Sequence, residues 1–207
     1  MIISEEERRN NQLNQDNLIQ ALRLLRECGY VILEAVLPSD WVEEMHSAYN
    51  EEVKKQFVGA KPTGHGGISA PLCMPFIDPL VIENPFAIQI LKQAMGDDIF
   101  SYFPYGSNTA WPGCGIQHIH RDTGHLFPEE PHVLPISLAV LNIALVDFTE
   151  ENGATEVWPA SHLITDLQHN DKKNLEERAI QLPSTRTIMP AGSVVVRDMR
   201  CWHRGMP

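Results

Sequence analysis

The sequence contains no GxSxG elbow, no GxGxxG turn and no GxxxxGK[ST] loop. Nucleophilic serine chemistry and phosphate cradling by a glycine-rich loop therefore have no foothold. No apolar run approaches the roughly 18 residues that a membrane span requires, so no membrane association is expected. The cysteines Cys28, Cys73, Cys114 and Cys201 are scattered and form no CxxC pair, which excludes a zinc ribbon and a disulfide scaffold and leaves buried, reduced thiols. Cations are few: 16 Lys and Arg stand against 27 Asp and Glu, for a net charge of -11, so a protein that coats nucleic acid is excluded. The opening MIISEEERRNNQLNQDN has no apolar core of a secretory signal, and the chain is expected to be soluble and cytoplasmic.

What is present suits one globular unit. With 207 residues, 43% of them hydrophobic, the chain can bury a real core, and residues 1–207 are expected to form a single domain. Residues 1–98 read as a helical wall with one strand. Asp16 is a candidate N-cap for a helix carrying Leu18, Ile19, Ala21, Leu22, Leu24 and Leu25, which Gly29 ends. Tyr30 to Leu33 reads as a strand, and Pro38-Ser39-Asp40 opens a helix running to about Phe57. A Gly- and Pro-rich loop over residues 59–80 follows, long enough for the rim of a site, and then a helix over Asn84 to Met95. From residue 99 the pattern is one of strands: Ile99 to Tyr105, Ile116 to Asp122, Ile136 to Leu145, Thr155 to Trp158, Thr185 to Pro190 and Ser193 to Arg197. Short strands broken by Gly, Pro and Asn, behind N-terminal helices, predict a mainly β fold, a double-stranded β-helix or jelly roll.

Metal-capable side chains are densest in Gln117-His118-Ile119-His120-Arg121-Asp122. Along a strand alternate residues share a face, so His120 and Asp122 point the same way and can meet one ion. His203, beyond the strand-like Gly192 to Asp198, offers a third ligand. Two imidazoles and a carboxylate on one side of an ion leave the opposite positions open, the pattern of non-haem Fe(II) oxygenases. An HxD pair alone is weak, because His120 could equally be a partly buried histidine bonded to Asp122. A zinc hydrolase could use the same ligands. A cupin site would pair His118 with His120 and place a Glu a few residues on, but the first Glu is Glu129. His46 reads as a residue of an exposed helix face and His65 as a solvated loop residue, with a contact to substrate as the alternative. His125, His132, His162 and His169 read as surface groups or neighbours of the site.

Four segments together resemble the phytanoyl-CoA dioxygenase family, whose members are Fe(II)- and 2-oxoglutarate-dependent oxygenases. They are Cys28-Gly29-Tyr30-Val31-Ile32-Leu33, Gln117 to Asp122, Glu151-Asn152-Gly153-Ala154-Thr155-Glu156-Val157-Trp158-Pro159-Ala160-Ser161-His162, and Gly192 to Arg197 with Trp202-His203-Arg204-Gly205. The resemblance runs from about Asp16 to Pro207. It implies that His120, Asp122 and His203 hold Fe(II), and that Thr155 and Gln117 contact 2-oxoglutarate. It further implies that O2 and a small organic substrate complete the reaction, with succinate and CO2 formed as the substrate is oxidised. Asn152-Gly153 is a tight turn in either case, and Pro159 to His162 shapes the loop beyond it.

Two features depart from the family pattern. An Arg about ten positions past the distal His, which pairs with the far carboxylate of 2-oxoglutarate in relatives, has no counterpart, since the sequence ends four residues after His203. The jelly roll is accordingly expected to lack its last strands, and a non-catalytic or truncated metal-binding jelly roll stands as the alternative. Arg197, Arg200 and Arg204 are the nearby cations. Some relatives also place Gln two residues before the first ligand His, where this chain has His118. Asp122, a carboxylate where halogenating relatives carry a small residue, implies hydroxylation or another oxidation. Residues 62–71 and 124–135, with Thr109, Trp111 and Phe127, are expected around the substrate.

Overall fold

The computed structural model describes residues 1–102, 105–165 and 172–207. Its N-terminal helices follow from their caps. Helix α1 (Glu5–Asn10) was not anticipated, although Ser4 and Glu7 form a reciprocal capping box. Helix α2 (Gln15–Cys28) starts at Asn14 rather than Asp16, because the Asn14 side chain accepts the Asn17 N–H, and it ends at Gly29 with φ 88°. Strand β1 (Tyr30–Leu33), helix α3 (Ser39–Gln56) and the N-capping of the later helix by Asn84 match the sequence reading. The segment expected as a loop over 59–80 is irregular apart from strand β2 (His65–Gly66) and the start of the short helix α4 (Pro79–Ile82). Helix α5 (Pro85–Met95) closes the wall. Among the described residues no helix is long and apolar enough to cross a membrane.

The strands that follow are β3 (Thr109–Ala110), β4 (Ala139–Ile143), β5 (Glu156–Val157), β6 (Thr185–Arg186), β7 (Val194–Asp198) and β8 (His203–Arg204), with helix α6 (Lys172–Ala179) between β5 and β6. Several are shorter than expected: β4, β5 and β6 fall short of Ile136 to Leu145, Thr155 to Trp158 and Thr185 to Pro190, while β7 matches its expected length one residue further on. The expected strand over Ile99 to Tyr105 is irregular at 99–102 and 105, and residues 103 and 104 lie outside the described residues. Ile116 to Asp122 is extended but joins its neighbour through one bridge, His120 to His203. Three antiparallel sheets result: β1-β7-β4, β2-β3 and β6-β5-β8.

The first sheet has two unlike faces. On one, Val31, Leu33, Val194 and Val196 pack against Ala21 and Leu25 of α2 and Phe86 and Ile90 of α5, all at most 3% exposed. Each large side chain so buried contributes roughly 1.5–3 kcal/mol, which makes this layer the mechanical base of the fold. On the other, Tyr30, Val195, Arg197 and Asn142 face a cavity of about 1640 Å³, whose far side carries Thr155 and Val157. That cavity between two antiparallel sheets, backed by N-terminal helices, is the interior of a double-stranded β-helix.

Candidate metal centre

The cavity floor is built where two extended segments meet. His120 and His203 exchange both backbone hydrogen bonds, at 2.9 and 2.8 Å, and the Asp122 and Thr123 N–H groups donate to Met199 O. At the other end Gln117 N–H donates to Gly205 O, and Gly205 N–H donates to Gln117 Oε1 at 2.8 Å. Gly205 lets both side chains approach: a Cβ would lie 2.6 Å from His65 Nδ1 and 2.7 Å from Gln117 Oε1, so either would have to shift. Register of the distal segment is held from behind by Ser161. Its hydroxyl donates to Trp158 O at 2.6 Å and accepts the Trp202 N–H at 2.8 Å, so Pro159 to His162 has the structural role expected of it.

This scaffold brings His120, Asp122 and His203 together, one ligand atom from each lying within 4.8 Å of the others. The two rings are 4.3 Å apart between centroids. His120 Nδ1 is 2.9 Å from His118 O, which assigns the proton to Nδ1 and leaves the Nε2 lone pair for a ligand. His203 Nδ1 likewise faces Cys201 O at 3.0 Å, and its Nε2 is 3.6 Å from Asp122 Oδ1. Burial, followed by the neighbouring Arg197 guanidinium, pushes the His203 pKa down to about 4, so the ring is neutral at physiological pH. Two imidazoles whose Nδ1 atoms are taken by carbonyls, leaving Nε2 to bind, and a carboxylate oxygen fit a divalent first-row metal.

Of the other residues named from the sequence, Gln117, Thr155, Thr109 and Trp111 line the cavity, whereas Phe127 is not among its lining and is 56% exposed. His118 turns away, with its side chain 95% exposed and paired to Glu176 at 2.9 Å. His162 is no surface group. It is 3% exposed, with Nε2 against Arg26 O at the end of α2. His46, expected on an exposed face, is half-buried and lines the cavity, and so does His65. His169 lies outside the described residues. The three cations near His203 are each held by a carboxylate: Arg197 by Asp122, Arg200 by Asp198 and Arg204 by Glu156. Sequence reasoning gave too little weight to two residues, His65 and Arg197. His65 reads as a solvated loop residue over the alternative of a substrate contact, yet it lines the cavity. Arg197 was named only as a nearby cation, although its charge follows directly on the valine run of β7.

The sequence profile described as phytanoyl-CoA dioxygenase (PhyH) matches residues 80–207, more than half of the chain. The chain belongs to the phytanoyl-CoA dioxygenase family. Among curated relatives, Dioxygenase trt7 of Aspergillus terreus is 31% identical over 162 residues, covering 70% of this chain and 54% of that protein. Dioxygenase andF of Emericella variicolor is 28% identical over 205 residues, covering 88% and 66%. The chain thus spans about half to two-thirds of the length of these relatives. Among solved structures, the non-haem alpha-ketoglutarate-dependent carbocyclase SnoK from nogalamycin biosynthesis superposes with a TM-score of 0.65 at 23% identity, over 94% of this chain and 78% of that one. EctD from S. alaskensis with bound Fe gives 0.62 at 19%, over 94% and 73%. At such identities the likeness is one of fold. For this member of the phytanoyl-CoA dioxygenase family, the profile match takes in both extended segments that meet at the cavity floor, Gln117 to Thr123 and Met199 to Gly205.

Proposed function

We propose that residues 1–207 act as one oxygenase domain in which His120, Asp122 and His203 bind Fe(II), and which couples consumption of 2-oxoglutarate and O2 to oxidation of a small, largely apolar molecule. The observation that carries this reading is the convergence of two imidazoles and one carboxylate at the floor of a large cavity. Family membership supports it. The four unpaired cysteines suit a reducing compartment such as the cytoplasm.

Bound there, Fe(II) and 2-oxoglutarate supply the oxidising power, and the protein's contribution is orientation and exclusion of water. The carbonyls of His118 and Cys201 hold the two Nδ1–H groups, which fixes both rings in the ligating tautomer. Thr155 and Gln117 are the proposed 2-oxoglutarate contacts. The Gln117 carboxamide oxygen is engaged by Gly205 N–H, so what it offers the co-substrate is its NH2 group. Asp122 fills the position that a halide would need, which favours hydroxylation or a related oxidation. The substrate class follows from the lining. Apolar and aromatic groups such as Trp41, Met45, Phe76 and Trp111 dominate it. Its cations are Lys92 and Arg197, and Arg197 is taken by Asp122. Bound phosphate wants clustered, unpaired cations, so a coenzyme A thioester fits this cavity poorly.

Succinate formation in the presence of Fe(II), ascorbate, 2-oxoglutarate and O2 tests this. The purified chain is expected to form succinate slowly, at a rate that His120→Ala lowers by about 100-fold or more and that palmitoyl-CoA leaves unchanged. Succinate formation equal in wild type and His120→Ala sinks the proposal, and hydrolytic activity without O2 points to zinc chemistry instead.

A further inference from the structure

Arg197 is an ionised side chain where the fold has room for a hydrophobic one. It lies on β7 directly after the run Val194-Val195-Val196, faces the cavity and is 6% exposed. Its cross-strand neighbours are Tyr30 and Val140. Nη2 donates to Asp122 Oδ2 at 2.7 Å, while Nη1 lies 3.5 Å from Cys201 O and 3.1 Å from His203 Nδ1. A guanidinium only donates. The proton on His203 Nδ1 goes to Cys201 O at 3.0 Å, so Nη1 shares that carbonyl and packs beside the ring instead of bonding it.

Stability does not account for this residue. A buried ion pair is seldom better than a well-packed apolar pair of the same volume. Its charge would also repel the dication that the neighbouring ligands are suited to hold. What the arrangement does achieve is geometric. One oxygen of Asp122 is occupied, and the other is left 3.6 Å from His203 Nε2, pointing into the ligand cluster. We infer that Arg197 is a positioning residue that holds Asp122 so that a single carboxylate oxygen meets the metal, keeping the remaining coordination positions open. This rests on the metal-binding reading above.

Co(II), added to the metal-free protein and followed by its visible absorption, tests the role without any turnover. Arg197→Met, which keeps the bulk in an apolar setting, is expected to bind Co(II) at least about 10-fold more weakly while its circular dichroism stays that of wild type. Arg197→Lys keeps the charge but loses the fork, and is expected to recover part of that loss, ending about 3-fold weaker than wild type. In an Asp122→Ala background, where there is no carboxylate left to hold, Arg197→Met is expected to change the affinity by less than about 2-fold. A folded Arg197→Met or Arg197→Lys protein with wild-type affinity overturns the proposal. The same holds if the Arg197→Met loss persists undiminished in the Asp122→Ala background, because the residue then acts by some route other than Asp122. Wild-type protein that binds no Co(II) overturns the metal reading itself, and Arg197's role with it.

Discussion

Glu7 and the candidate metal ligands illustrate how single side chains are set by the groups around them. Glu7 is 4% exposed, and burial alone would raise its pKa. Hydrogen bonds from Asn14 N–H, the Ser4 hydroxyl and N–H, and Asn17 Nδ2 outweigh that effect and bring it down to about 2. Because the folded pKa lies below the unfolded value, this stabilisation is complete above about pH 4.5 and is lost as pH falls towards 2. It amounts to about 3 kcal/mol. Urea unfolding of wild type and Glu7→Gln should therefore differ by most at neutral pH, and the gap should narrow below about pH 4.5 and close as pH falls to about 2; a gap that does not change with pH would refute the assignment. At this scale the sequence was most legible where spacing alone carries the information. The alternation His120-x-Asp122 places two ligands on one side of an extended segment, and the distal His203 follows a recognisable valine strand. Arg197 was seen only as a nearby cation. Its pairing with Asp122 depends on which segment lies beside β7, and a one-dimensional pattern does not state that.

Helices and strands were legible to different degrees for a physical reason. A helix satisfies its own backbone, so caps such as Asn84, Pro38 and Gly29 mark its ends locally. A strand ends where its partner ends. Ile136 to Leu145 is apolar but for Ser137 and Asn142, yet only Ala139–Ile143 finds five partners on β7, and it contracts to that. The short helix α1 was readable from Ser4-x-x-Glu7, but no apolar periodicity drew attention to it. The join of α2 to β1 yields a test. Gly29 has φ 88°, and a Cβ there would lie 2.6 Å from His162 Nδ1. Gly29→Ala is expected to destabilise the fold by about 1–3 kcal/mol, measured by urea denaturation. Adding His162→Ala should restore part of the loss by removing the contact, leaving the backbone strain behind. If the double variant is less stable than the sum of the two single changes, the contact is not the cause.

On the scale of the whole molecule, one sheet separates two jobs. Its outer face is sealed against α2 and α5 by Val31, Leu33, Val194 and Val196, and its inner face opens onto the cavity that holds the candidate metal centre. That division lets the ligand-bearing segments be short and irregular, since the helical layer holds β7 in place while Ser161 anchors the segment leading to His203. A second cavity of about 780 Å³ opens beside α1 and the start of α3, away from the ligands, and contains none of them. The account's central claim is that His120, Asp122 and His203 form an Fe(II) site that also takes 2-oxoglutarate. Adding Fe(II) and then 2-oxoglutarate to the protein under anaerobic conditions, with the visible spectrum recorded at each step, tests it most directly. The account predicts a weak metal-to-ligand charge-transfer band that appears only with both present and is lost in His120→Ala and Asp122→Ala. A spectrum without that band from folded wild-type protein, or a band that survives both substitutions, would contradict it.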